Sequence, residues 1–138
     1  MHGTGPGLEQ IKSTLKRFPR VRLIIDHLGR PPVEDGPPYN AAKDYFTLAN
    51  FPNCYLKLTP SGLNSVLKGG ATADTLIPKL VGVFGAGRIA WGSNYPASPG
   101  TMSEIVAASR LVLRSLSDAD RSWILAKTAQ LLYPVLKD

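Results

Sequence analysis

Three short apolar runs, VRLIID (residues 21–26), CYLKLT (54–59) and RIAWGS (88–93), begin 33 and 34 residues apart. Each is short, mostly β-branched or aromatic, and bounded by turn residues, which is the pattern of a buried strand. The stretches between them carry helical spacing. Leu8, Ile11, Leu15 and Phe18 mark one stripe over 8–18, and further helices are predicted over 39–49, 73–84 and 103–116. A last one starts at SDADRSWILAKTAQLLYPVL, with Ser117 or Asp118 as its cap. The order is helix, strand, helix, strand, helix, strand, helix, helix. Such alternation demands βα units and a parallel α/β sheet.

The pitch fits a (β/α)8 barrel, whose units recur about every 31 residues, although only three full strands are present. A doubly wound open sheet has a similar pitch. It would carry a glycine-rich phosphate loop between a strand and a helix. GVFGAGR (82–88) precedes a strand instead, so it reads as a helix stop with Gly85 or Gly87 at positive φ.

Composition matters here for what it excludes. With 43% hydrophobic and 19% charged residues in 138, residues 1–138 are expected to fold as a single globular domain. No apolar run approaches the roughly 20 residues of a membrane span, and MHGTGPGLEQ has neither half of a secretory signal. A cytoplasmic setting is the expectation. The lone Cys54 rules out an intrachain disulfide and suits a small buried hydrophobe. The net charge of +6 is compatible with nucleic acid, an anionic substrate or nothing specific. Its densest group, between Lys12 and Arg22, lacks the interleaved aromatics of a single-strand binder. It reads as a solvated helix face, and neither a nucleic-acid nor a membrane partner is expected.

Chemistry in parallel α/β proteins collects where strands end. The three ends here are DHLGRP (26–31), KLTPSG (57–62) and SNYP (93–96). His27 stands at the first, as a catalytic candidate or a structural histidine; Asp26 either orients it or caps the loop. Arg30 has two readings, an anion clamp or a loop charge paired with Asp26 or Glu34. Lys57 alternates with Tyr55 and Thr59, which puts it near a pocket or on a barrel floor. Trp91 is assigned to packing between strand and helix. Tyr95 either lines a pocket or packs.

RVRLIIDHLGRP, NCYLKLTPSG and RIAWGSNYP resemble, in order, strands six, seven and eight of the amidohydrolase-2 family. These are TIM barrels of the metal-dependent-hydrolase superfamily, similar to 2-pyrone-4,6-dicarboxylate lactonases. AKTAQLLYP is similar to the family's closing helix, Asn-Ala-x-x-Leu-Tyr, with Thr128 in place of the Asn. The resemblance covers residues 8–134 and implies a partial (β/α)8 barrel, about its last three to four βα units.

The family's His-x-His motif of the first strand is absent. MHG (1–3) is either the tail of strand five, which would set His2 beside His27, or a flexible start. At the last corner the family has Gly-Ser/Thr-Asp-Tyr/Trp-Pro, its Asp serving as general base or metal ligand. Asn94 stands in that place, and an amide neither takes a proton near neutral pH nor binds a divalent metal as a carboxylate does.

The resemblance implies a hydrolase of small carboxylated lactones or related esters and amides. Water attacks a carbonyl that His27 polarises, directly or through a metal. Asn94 acts by hydrogen bonds, and Arg30, Lys57, Tyr95 and Ser61 hold the substrate. The isolated chain is expected to hold no cofactor. A divalent cation such as zinc, with His27 as ligand, is what the family would add. The alternative is a catalytically inactive barrel fragment that acts only through association. Either way, a homo-oligomer or a chain supplying the missing strands is the expected partner.

Overall fold

Residues 5–137 are described by the structure, a computed structural model; His2 and the MHG stretch lie outside them. Strands β1 (Leu23–Ile25), β2 (Cys54–Leu58) and β3 (Ile89–Trp91) form one parallel sheet in the order β1-β2-β3. Ile25 lies beside Leu56, and Leu56 beside Ile89. Side chains alternate between the faces of a sheet. Ile25, Leu56 and Ile89 therefore share one face, and all three belong to the hydrophobic core. The opposite face carries Ile24, Tyr55, Lys57 and Ala90.

The strands are shorter than 21–26, 54–59 and 88–93. Val21 and Arg22 are exposed and precede the ladder, while Arg88 belongs to a 3-10 turn, Ala86–Arg88. At the other ends, Asp26 opens a turn and Thr59 becomes a helix cap.

Helix α1 (Gly5–Arg17) buries Leu8, Ile11 and Leu15, as its spacing predicts, but stops short of Phe18, which is exposed. The helix expected over 39–49 is a broken run: a 3-10 turn (Asn40–Ala42), the single turn α2 (Lys43–Phe46) and another 3-10 turn (Thr47–Asn50). Tyr39 at φ 64° sets its abrupt start. The Thr47 hydroxyl donates to the Asp44 carbonyl (2.6 Å), competing with the helical ladder. Pro52 then forces Phe51 into an extended conformation.

Helix α3 (Pro60–Val66) was not predicted at all, although Thr59 as cap and Pro60 in the first turn form a standard helix start. Helix α4 (Ala73–Phe84) has its predicted bounds and ends at Gly85, φ 81°. Helix α5 (Met102–Val112) opens on a capping box between Thr101 and Glu104. Hydrogen bonds from Thr101 hold the Glu104 carboxyl below its usual range.

The last helical run starts from Ser117 and passes through α6 (Asp118–Ser122), one π-helical turn (Trp123–Lys127) and α7 (Thr128–Leu132). Thr128, where the family has Asn, is fully buried, and its hydroxyl donates to the Ala86 carbonyl at 3.1 Å. That bond ties the closing helix to the turn before β3.

Cys54 is buried in the core, as expected. Burial pushes its thiol up to about 12, partly offset by the nearby Arg88 cation, so it is no nucleophile. No described helix is long and apolar enough to cross a membrane.

Candidate active site

The chain leaves β1 by a backbone that few residues tolerate. His27 (φ 52°), Leu28 (φ 58°), Gly29 (φ 69°) and Arg30 (φ 52°) are all left-handed. For non-glycine residues this region is disfavoured, and it persists only where surroundings impose it. Here they do. Leu28 is fully buried, and its carbonyl accepts from the Tyr45 hydroxyl at 2.6 Å. Burial in turn drives the Tyr45 hydroxyl well above its ordinary pKa, so it stays protonated and keeps donating. This turn presents the half-buried His27 at the sheet end.

Three polar contacts then join neighbouring strand ends. His27 Nδ1 lies 2.6 Å from Thr59 Oγ1, which also accepts from the Gly62 backbone N–H (3.0 Å) at the start of α3. Lys57 Nζ lies 3.1 Å from Asp26 Oδ1. Asn94 Nδ2 donates to Ser61 Oγ at 3.0 Å, linking the end of β3 to the first turn of α3. Asp26 Oδ2 is 3.9 Å from His27 Nε2, which is too long for a hydrogen bond.

Two glycines make this packing feasible. A Cβ on Gly62 would meet His27 Cα and Thr59 Oγ1, each at 2.8 Å. A Cβ on Gly92 would meet Lys57 Cε at 2.9 Å.

The two readings of Lys57 are thereby separated: it reaches the C-terminal rim, where Asp26 holds it. Asp26 is not a loop cap but an ion-pair partner, although a pair this exposed is worth only about 0–1 kcal/mol. Arg30 is exposed and, among the described residues, pairs with neither Asp26 nor Glu34. It lines an open groove of about 570 Å³ together with Ile11, Ile24, Asp26 and His27. Tyr95 is 57% exposed at the corner after β3, so it is not a core residue. Trp91 packs as expected, its indole N–H donating to Ser109 of α5 at 2.8 Å.

Thr59 is the site residue that sequence reasoning left without a role. Its place as helix cap ahead of Pro60 was the available signal; its contact with His27, 32 residues away, had none.

A catalytic zinc site usually takes three protein ligands. Among the described residues, no group of three His, Cys, Asp or Glu is placed to hold a metal. His27 and Asp26 are the nearest pair, and Lys57 already occupies one oxygen of Asp26. The donor set of the described residues does not fit such a site.

Comparisons with known proteins bear on the fold and the family. An L-fucono-1,5-lactonase of Burkholderia ambifaria is 35% identical over a stretch covering 60% of this chain and 29% of the lactonase. Among solved structures, an amidohydrolase from Burkholderia multivorans, determined with bound zinc, superposes with a TM-score of 0.67 at 21% identity. The match covers 92% of this chain and 49% of that one. A Pseudomonas putida protein described as a 2-pyrone-4,6-dicarboxylic acid hydrolase gives 0.68 at 20% identity, over 94% of this chain and 48% of its own. The chain thus spans about half the length of these solved relatives, and less of the lactonase. The amidohydrolase family model matches residues 1–135, so the chain belongs to the amidohydrolase family.

Proposed function

We propose that this chain forms part of a hydrolase acting on a small carboxylated lactone or a related ester or amide. Its sheet would be the last three to four βα units of a (β/α)8 barrel. The observation that supports the reading is a set of polar contacts past the ends of parallel strands: His27 with Thr59, Lys57 with Asp26, and Asn94 with Ser61. Family membership and the lactonase relative support it.

In this reading His27 donates a hydrogen bond to the carbonyl oxygen under attack and stabilises the negative charge that develops there. Asn94, hydrogen-bonded to Ser61, orients the attacking water or the carbonyl. Asp26 is the carboxylate of the cluster and accepts the proton water loses. Water adds to the carbonyl carbon, the ring C–O bond breaks, and the leaving oxygen takes a proton to give a hydroxy acid. Arg30, free at the groove, binds the substrate carboxylate. Lys57 adds positive charge at the rim, and Tyr95 covers the corner.

A second reading keeps the fold and drops the catalysis: a barrel fragment that acts only by association, with another copy or with a chain carrying further strands. Asn94, in the family's carboxylate position, favours it.

Acid release from carboxylated and neutral lactones separates the two. The expected result is turnover that prefers carboxylated substrates and falls at least about 100-fold in His27→Asn. Asn is the replacement of choice because it tolerates the left-handed backbone of that position. No turnover above buffer with any lactone leaves the association-only reading.

A further inference from the structure

We infer that Thr59 is a positioning residue that fixes the tautomer of His27, leaving the proton of the neutral ring on Nε2. The catalytic meaning of this rests on the function proposed above; the tautomer itself does not.

Thr59 is fully buried. A hydroxyl has one proton to give and two lone pairs to accept with. One lone pair of Oγ1 takes the Gly62 N–H at 3.0 Å, and Oγ1 stands 2.6 Å from His27 Nδ1. If Nδ1 carried the proton, Oγ1 would accept twice, and its own buried proton would need another acceptor. Among the described residues the Thr59 hydroxyl has no contact besides Gly62 N and His27 Nδ1. If the hydroxyl donates to Nδ1 instead, all three groups are satisfied. Gly62 enforces the contact, since nothing larger would let the start of α3 come this close to His27.

The consequence is directional. A histidine that ligates a metal through Nε2 almost always donates from Nδ1 to a second-shell acceptor. Here Nδ1 is the acceptor. The ring is set to offer an N–H at Nε2, on the side facing Asp26, and not a lone pair. It is built as a hydrogen-bond donor for an oxygen, and a divalent cation would have to displace its proton first.

The test needs no substrate. The chain has two histidines, so His2→Ala leaves His27 as the one imidazole. Long-range proton–nitrogen spectra of the labelled protein, at a pH where the ring is neutral, report which nitrogen holds the proton. The expected parent spectrum shows a pyrrole-like Nε2 and a pyridine-like Nδ1. Thr59→Ser keeps that pattern, and Thr59→Val moves the proton toward Nδ1. Equimolar zinc leaves the parent Nε2–H signal in place.

A parent ring protonated at Nδ1 overturns the inference without any variant, so poor folding of Thr59→Val cannot protect it. An unchanged spectrum in folded Thr59→Val, or loss of the Nε2 proton to zinc, overturns it too. The expected spectrum without lactone turnover would sink the proposed function while the tautomer assignment stands.

Discussion

Asn94 sits at φ 54°, a conformation that Asn and Asp adopt more readily than other side chains with a Cβ. Its backbone therefore still suits the carboxylate common in the family, and only the side-chain head differs. Asn94→Asp should fold without strain and accept a hydrogen bond from the Ser61 hydroxyl, reversing the present one. In a preparation that turns over a lactone, a second carboxylate besides Asp26 should raise kcat, though by less than the roughly 10²-fold that a sole positioned general base contributes. Steady-state rates of the two proteins decide this; equal rates would mean that position 94 does not face the reacting water. That His27, Arg30 and Asn94 stand just past strand ends was legible in the sequence, because each follows a recognisable strand within a few residues. Their partners were not. Which side chain meets His27 depends on the register of β1 on β2 and on the angle at which α3 leaves Thr59. A linear pattern carries neither.

Elements differ in how openly the sequence states them. The strands were legible because a two-sided buried run has few other solutions; the long helices were legible from their stripes and caps. The region 39–49 misled because apolar spacing alone predicts a helix there. Local competition from Thr47 and the left-handed Tyr39 breaks it into single turns. One connection hidden from any pattern is Asn53. It is buried, and its side-chain amide donates to the carbonyls of Leu15 (3.3 Å), Phe18 (3.1 Å) and Val21 (3.1 Å), while its main-chain carbonyl accepts from Leu23 N–H (2.9 Å). It thus closes the end of α1, the loop after it and the entry to β1 around one side chain. Asn53→Ala would strand those carbonyls, and urea unfolding should show a loss of about 2 kcal/mol. Asn53→Asp should be at least as damaging, because a carboxylate would face three carbonyl oxygens. A loss below about 0.5 kcal/mol for the alanine variant would mean that water replaces the amide at all three oxygens.

Taken whole, the molecule sets its main hydrophobic core on one face of the sheet; on the other, Tyr55 and Ala90 are buried outside that core while Ile24 and Lys57 are half-buried. Ile24, Tyr55, Lys57 and Ala90 lie on that second face, and β1, at the sheet edge, borders the 570 Å³ groove with Ile11 and Ile24. Parallel sheets are ordinarily covered on both faces, and an edge strand offers unpaired N–H and C=O groups to other strands. We therefore expect self-association of the 138-residue chain through the β1 edge and the face beside it. Charge supplies a second handle. At +6, two copies repel each other, and added salt screens that repulsion while leaving apolar burial intact. Light scattering at micromolar concentration should show a species larger than 14.9 kDa whose dissociation weakens as salt rises. Ile24→Lys, which places a charge on the apolar wall of the groove, should shift the equilibrium toward monomer without unfolding the core, since Ile24 is outside it. If association instead weakened with salt, ion pairs between copies would hold it, and the apolar edge would not be the contact. A cooperatively unfolding monomer in both low and high salt would mean that the chain's own loops satisfy the β1 edge, and the case for a partner at this face would be lost.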